Sequence, residues 1–186
     1  MDRLCAPVMS IKNKAVETDV DVYVWDKAPH SVGHVMATDH SPSHNSTAVI
    51  LSQFPFTERQ GGEQSTFTFH PGKGFNRKVS VANTFGYEKR NPNHRYQVAV
   101  PDAWRFYNVA AEQRAATYWD WWPTGADETQ CSTAVFLSLQ AGNVPFPSNA
   151  HYSMYLRPDE FDQWMMEDAR ESSRTGVKMV DPASGK

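Results

Sequence analysis

Cysteine is scarce in this chain, with Cys5 and Cys131 the two examples among 186 residues. A disulfide framework is therefore excluded as the source of stability, and a chain of this length buries enough core to fold as one domain without it. A single Cys5–Cys131 bridge stays open, but no spacing suggests it. Charge of one sign is also lacking: the formal net charge is −3, which gives no electrostatic footprint for nucleic acid. No apolar run approaches the ~20 residues needed to cross a bilayer, so no transmembrane segment is expected. The N-terminus carries Arg3 but no apolar stretch behind it, so an ordinary secretory signal is not expected. Internal repeats and low-complexity tracts are missing as well.

Aromatic residues, by contrast, are plentiful, and four of the six tryptophans fall between Trp104 and Trp122. Residues 1–18 read as a lead-in. Asp19–Trp25 alternates Val20, Val22 and Val24 against Tyr23 and Trp25, the pattern of a strand. Ala28-Pro29-His30 breaks it, and Ser31–Thr38 predicts a second strand with Val32, His34 and Met36 on one face. A third runs from Thr47 to Phe54 and ends at Pro55, completing an antiparallel meander. Ser65–His70, Lys78–Thr84 and Arg95–Val100 are further strands by pattern. Pro71-Gly72-Lys73-Gly74 lacks the frame of a phosphate loop and reads as a turn. Pro101-Asp102 opens a helix from about Ala103 to Tyr118, and His151–Leu156 is a short strand. Arg157-Pro158-Asp159-Glu160 starts a last helix, with proline and acids where a first turn favours them. The segment 173–186 is polar and reads as a flexible tail. The fold class is α+β: one antiparallel sheet with two or three helices packed on it.

Gln130-Cys131-Ser132-Thr133-Ala134 carries the chemistry. It follows a polar turn that offers Thr129 or Asp127 as N-cap, and Gly142 is a natural stop. Val135 and Leu139 put Cys131 on the line of the buried face. A thiol in the first turn of a helix feels the positive end of the dipole, which favours thiolate. A core cysteine is the plain alternative.

A nucleophilic cysteine needs a base, and the base needs an orienting group. His34 is the candidate base, mid-strand beside Gly33, where a missing side chain permits close approach. The other histidines, at positions 30, 40, 44, 70, 94 and 151, fall in loops or at strand ends and read as solvated. A metal is the competing use of His30, His34, His40 and His44, but their spacings fit no zinc pattern, and no metal or cofactor is expected. For the orienting group, Ser52 and Gln53 lie on the next strand and point to opposite faces, which counting cannot choose between. Asp39 is a carboxylate in the turn.

A Gly-His strand (Val32-Gly33-His34-Val35), then Leu51-Ser52-Gln53-Phe54-Pro55, then the helix opening at Gln130-Cys131-Ser132-Thr133-Ala134 resembles the circularly permuted NlpC/P60 (papain-like) cysteine hydrolases. The branch found among bacterial secreted (type VI secretion) effectors is the nearest in pattern. The resemblance spans roughly 20–170 and implies a catalytic domain over 19–172, with Cys131 as nucleophile, His34 as general base and Ser52 near the third position. Gln130 stands where permuted members often have Asn. It further implies cleavage of an amide bond, in peptidoglycan peptides above all, by an effector delivered without a signal peptide to the target periplasm. An immunity protein in the producer would be the partner. Two alternatives remain: an acyl hydrolase or acyltransferase on lipid or protein, and a papain-like binding domain without activity. The Trp119–Trp122 segment either walls the cleft or fills the core.

Overall fold

The computed structural model describes residues 16–29, 31–40, 49–56, 74–148, 150 and 156–182. The strand expected over 65–70, most of the turn at 71–74, most of the short strand at 151–156, Cys5, and histidines 30, 44, 70 and 151 lie outside these residues. The meander forms as its alternation predicts. β1 (Thr18–Trp25) pairs antiparallel with β2 (His34–Asp39), and β2 with β3 (Val49–Leu51).

The third expected strand, however, divides at Ser52. Its continuation, β4 (Gln53–Phe56), belongs to a second sheet and pairs with β5 (Gly74–Lys78). Pro55 therefore does not end a strand but sits within β4, on the outer edge of that sheet, where a residue without an N–H is tolerated.

Residues 78–84 were expected as strand; α1 (Val81–Glu88) forms there instead. Ser80 caps it, accepting from the Asn83 N–H at 3.2 Å, and Val81 and Phe85 pack together one turn apart against Trp25 and Met36. β6 (His94–Val100) lies on the other side of β1, and α2 (Ala103–Ala115) follows, capped by Asp102. Two short strands, β7 (Tyr118–Trp119) and β8 (Glu128–Thr129), complete the second sheet. Trp119 and Trp121 are buried edge to face, while Trp122 is exposed.

The cysteine helix, α3 (Cys131–Ala141), and α4 (Pro158–Arg170) cover one face of the first sheet. Val135, Phe136 and Leu139 are fully buried there, which contributes roughly 1.5–3 kcal/mol each and fixes α3 against the sheet.

The segment expected as a flexible tail, 173–186, is described as far as residue 182 and carries regular structure there. α5 (Ser172–Thr175) ends at Gly176 with φ 72°, and the chain turns back into β9 (Val177–Val180), the edge strand beside β6. Backbone pairing and one buried residue, Val177, hold it, while Lys178 and Met179 are exposed. The fold is α+β, and the described residues form a five-stranded antiparallel sheet in the order β3-β2-β1-β6-β9 and a four-stranded one in the order β4-β5-β7-β8. No helix among the described residues is long and apolar enough to cross a membrane.

Candidate active site

Gly33 and the break at Ser52 together place His34. Gly33 has φ 87°, and a Cβ there would lie 2.5 Å from the Trp25 carbonyl oxygen, so only glycine lets the turn close onto β1. β2 accordingly begins at His34 rather than at Ser31. The imidazole lies against Trp25 and stacks on Phe54, with ring centroids 4.0 Å apart.

Ser52 stands between two strands of different sheets, and its hydroxyl reaches the His34 Nε2 at 3.0 Å. It also meets the Thr84 hydroxyl at 2.7 Å, and Thr84 donates to the Ser80 carbonyl at 2.8 Å. The direction of every bond in this chain follows from its last member. A carbonyl only accepts, so the Thr84 proton is spent on Ser80. Ser52 must then donate to Thr84, and His34 Nε2 must donate to Ser52. The imidazole is thereby assigned as the Nε2–H tautomer, with Nδ1 keeping its lone pair.

Of the three candidates for the orienting group, Ser52 alone meets His34. Gln53 donates to the Asn76 side chain at 2.8 Å. Asp39, at the far end of β2, accepts from Tyr107 at 2.9 Å, roughly 16 Å along the strand from His34 at ~3.3 Å per residue.

Cys131 is the first residue of α3 and a free thiol. Neither expected cap serves this helix. Thr129 is held in β8 and donates to Gln113 at 2.6 Å, while Asp127 accepts from the Thr117 N–H at 2.6 Å. The N-cap is Gln130, whose side chain turns away to the Leu156 carbonyl at 2.9 Å, so no side chain closes the first turn. At the other end Gly142 caps with φ −73°, and Asn143 takes the left-handed conformation.

The Ser132 hydroxyl lies 3.8 Å from Sγ, and it and the nearby N–H groups of Val35 and Ser132 favour thiolate. Burial opposes this and wins: Cys131 is 4 % exposed, and its pKa is raised rather than lowered as the helix position predicts. Burial likewise pushes His34, 1 % exposed, down to about 3. No hydrogen bond joins Sγ to the imidazole. The resting pair is therefore a neutral thiol beside the peptide that follows a neutral His34, not a preformed ion pair.

One carboxylate near the thiol escaped the sequence reading. Glu88, in the last turn of α1, is buried, accepts from Ser31 at 2.8 Å, and its charge raises the Cys131 pKa. Ser31 in turn accepts from the Gly33 N–H at 3.1 Å, which ties Glu88 to the turn before His34. Glu88→Gln removes a negative charge while keeping an acceptor for Ser31. It is expected to move the midpoint of iodoacetamide alkylation at Cys131 to lower pH; an unchanged or higher midpoint would show that Glu88 does not act on the thiol.

Two histidines read as solvated prove to be paired. His40 lies 3.1 Å from the buried Asp21, which also holds Arg95 at 2.8 Å, and His94 lies 2.7 Å from the buried Asp162. Their partners are distant in sequence, so no local signal marks them. His34 and His40 stand at opposite ends of β2 and do not share a ligand set. The chain matches no protein-family model, no curated protein and no solved structure.

Proposed function

We propose that the chain is a cysteine hydrolase of permuted papain-like (NlpC/P60) type that cleaves an amide bond, with Cys131 as nucleophile, His34 as general base and Ser52 as the group that orients it. The observation that carries this reading is the hydrogen-bond chain His34–Ser52–Thr84–Ser80, whose polarity leaves Nδ1 as a proton acceptor. A neutral base with its acceptor nitrogen set by the protein suits proton transfer during attack rather than before it. Nδ1 takes the Cys131 proton as sulfur adds to the carbonyl carbon, and the oxyanion draws on N–H groups of the uncapped first turn of α3. His34 then protonates the leaving amine as the C–N bond breaks. Water attacks the thioester, its proton passing through His34 back to sulfur.

Peptidoglycan stem peptides are the proposed substrate, reached in the target periplasm after delivery as an antibacterial effector, with an immunity protein protecting the producer. Digestion of purified sacculi followed by mass analysis is expected to release cleaved stem peptides with the parent and none with Cys131→Ala. Equal products from both would refute the cell-wall assignment, and fatty acid or deacylated protein as product would move the substrate to lipid or protein acyl groups. One observation favours a second reading, a binding domain without turnover: both Cys131 and His34 are covered, and burial holds both neutral.

A further inference from the structure

We propose that Asp26, His94 and Asp162 form a binding site for one divalent transition ion, Zn²⁺ by the character of its donors. This site is independent of the Cys131 reading. Three separate elements supply it: Asp26 directly follows β1, His94 opens β6, and Asp162 lies in the second turn of α4. One ligand atom from each lies within 4.8 Å of the other two. His94 Nδ1 and Asp162 Oδ2 are already 2.7 Å apart.

The surroundings resemble the outer shell of a metal centre rather than a chance surface cluster. Asp162 is 2 % exposed, and the fully buried Tyr96 donates to its Oδ1 at 2.7 Å, which fixes the carboxylate and turns Oδ2 toward His94. Asp26 is held by its backbone: its N–H donates to Asn93 Oδ1 at 2.9 Å, and Arg90 donates to its carbonyl oxygen. Its Oδ1 is buried and has no hydrogen-bond partner among the described residues. Such an acceptor beside a second carboxylate suits a cation. The Arg90 charge acts on this carboxyl, but its two terminal nitrogens are taken by Asn93 and by the Asp26 carbonyl. Asp159 adds further negative charge nearby and pairs with the exposed Arg157 at 3.5 Å.

One imidazole and two carboxylates select Zn²⁺ over Mg²⁺ or Ca²⁺, which prefer oxygen alone. Metal–ligand distances of about 2.0–2.2 Å put tetrahedral ligand atoms roughly 3.4 Å apart, so His94 and Asp162 must part slightly while the partly exposed Asp26 side chain rotates inward. Three protein ligands leave a fourth position for water. The ion would pin the end of β1, the start of β6 and α4 together beside the Gly33 turn, whose added Cβ would meet both the Asp26 backbone and Pro158.

The test is calorimetric titration of ZnCl₂ into chelator-treated protein at pH 7, repeated with MgCl₂ and with Co²⁺, whose visible spectrum reports coordination. The parent and Cys131→Ser are expected to bind one equivalent of Zn²⁺ at least 100-fold more tightly than Mg²⁺. His94→Ala and Asp26→Asn should each weaken Zn²⁺ at least tenfold, and the rise in thermal midpoint with Zn²⁺ should vanish. Circular dichroism verifies that each variant is folded, and Asp26→Asn, at a partly exposed position, decides the test should His94→Ala fail to fold. Absence of saturable binding by the parent, or undiminished binding by Asp26→Asn, would overturn the proposal.

Discussion

Gly33→Ala is expected to destabilise the protein by about 3 kcal/mol or more, the sum of a strained left-handed residue and an overpacked contact. At φ 87° an alanine is unfavourable by itself, and its Cβ would stand 2.5 Å from the Trp25 carbonyl oxygen. Relief demands that the turn lift away from β1, and Pro158 blocks the other direction at 3.1 Å. His34 is the next residue, so whatever folded protein remains should have an imidazole displaced from Ser52 and reduced hydrolysis. Urea unfolding checks the first part: the midpoint should fall with little change in slope. A loss under 1 kcal/mol would mean that the turn accommodates a side chain and does not position His34 as described.

The second large effect concerns acid. His34 stays neutral in the folded protein down to about 3, against an ordinary 6.5. The unfolded chain binds that proton first, so stability is complete above pH 6.5 and is lost as pH falls toward 3. The slope is about 1.4 kcal/mol per pH unit, which accumulates to roughly 5 kcal/mol at most. Asp168, whose carboxyl burial pushes up to about 6, works the other way, but it does so equally in a His34 variant. His34→Gln does not titrate, so its stability should fall more gently than the parent's between pH 6.5 and 3, whatever its loss at neutral pH. Parallel curves would show that the imidazole is not held neutral by burial.

Much of this arrangement is legible in the sequence where local order and global fold agree. The alternation of Val20, Val22 and Val24, the Asp102 cap and the Pro158 start of α4 each announce an element that forms. Val79-Ser80-Val81 alternates like a strand, yet Ser80 is a helix cap, and the cap wins because Val81 and Phe85, both half-buried, then pack on the same cluster. The second sheet is illegible because β7 and β8 have two residues each, too short to display a period. Ser52 could be nominated from the strand after His34 but not chosen over Gln53, since the choice depends on the chain changing sheets between them. The thiol's protonation could not be read from its helix position, because the opposing cost comes from residues that bury it across the fold. Glu88 and the His94–Asp162 pair are likewise products of long-range packing.

The most direct test of the central claim is an acyl-trapping experiment with a p-nitrophenyl ester, read by p-nitrophenol release and by mass analysis of the quenched protein. A burst close to one equivalent is expected in the parent, with the acyl group on the peptide carrying Cys131. No burst is expected for Cys131→Ala, and one slowed at least 100-fold for His34→Ala, within the range a general base contributes. A parent indistinguishable from Cys131→Ala, or an acyl group on another residue, would contradict the claim.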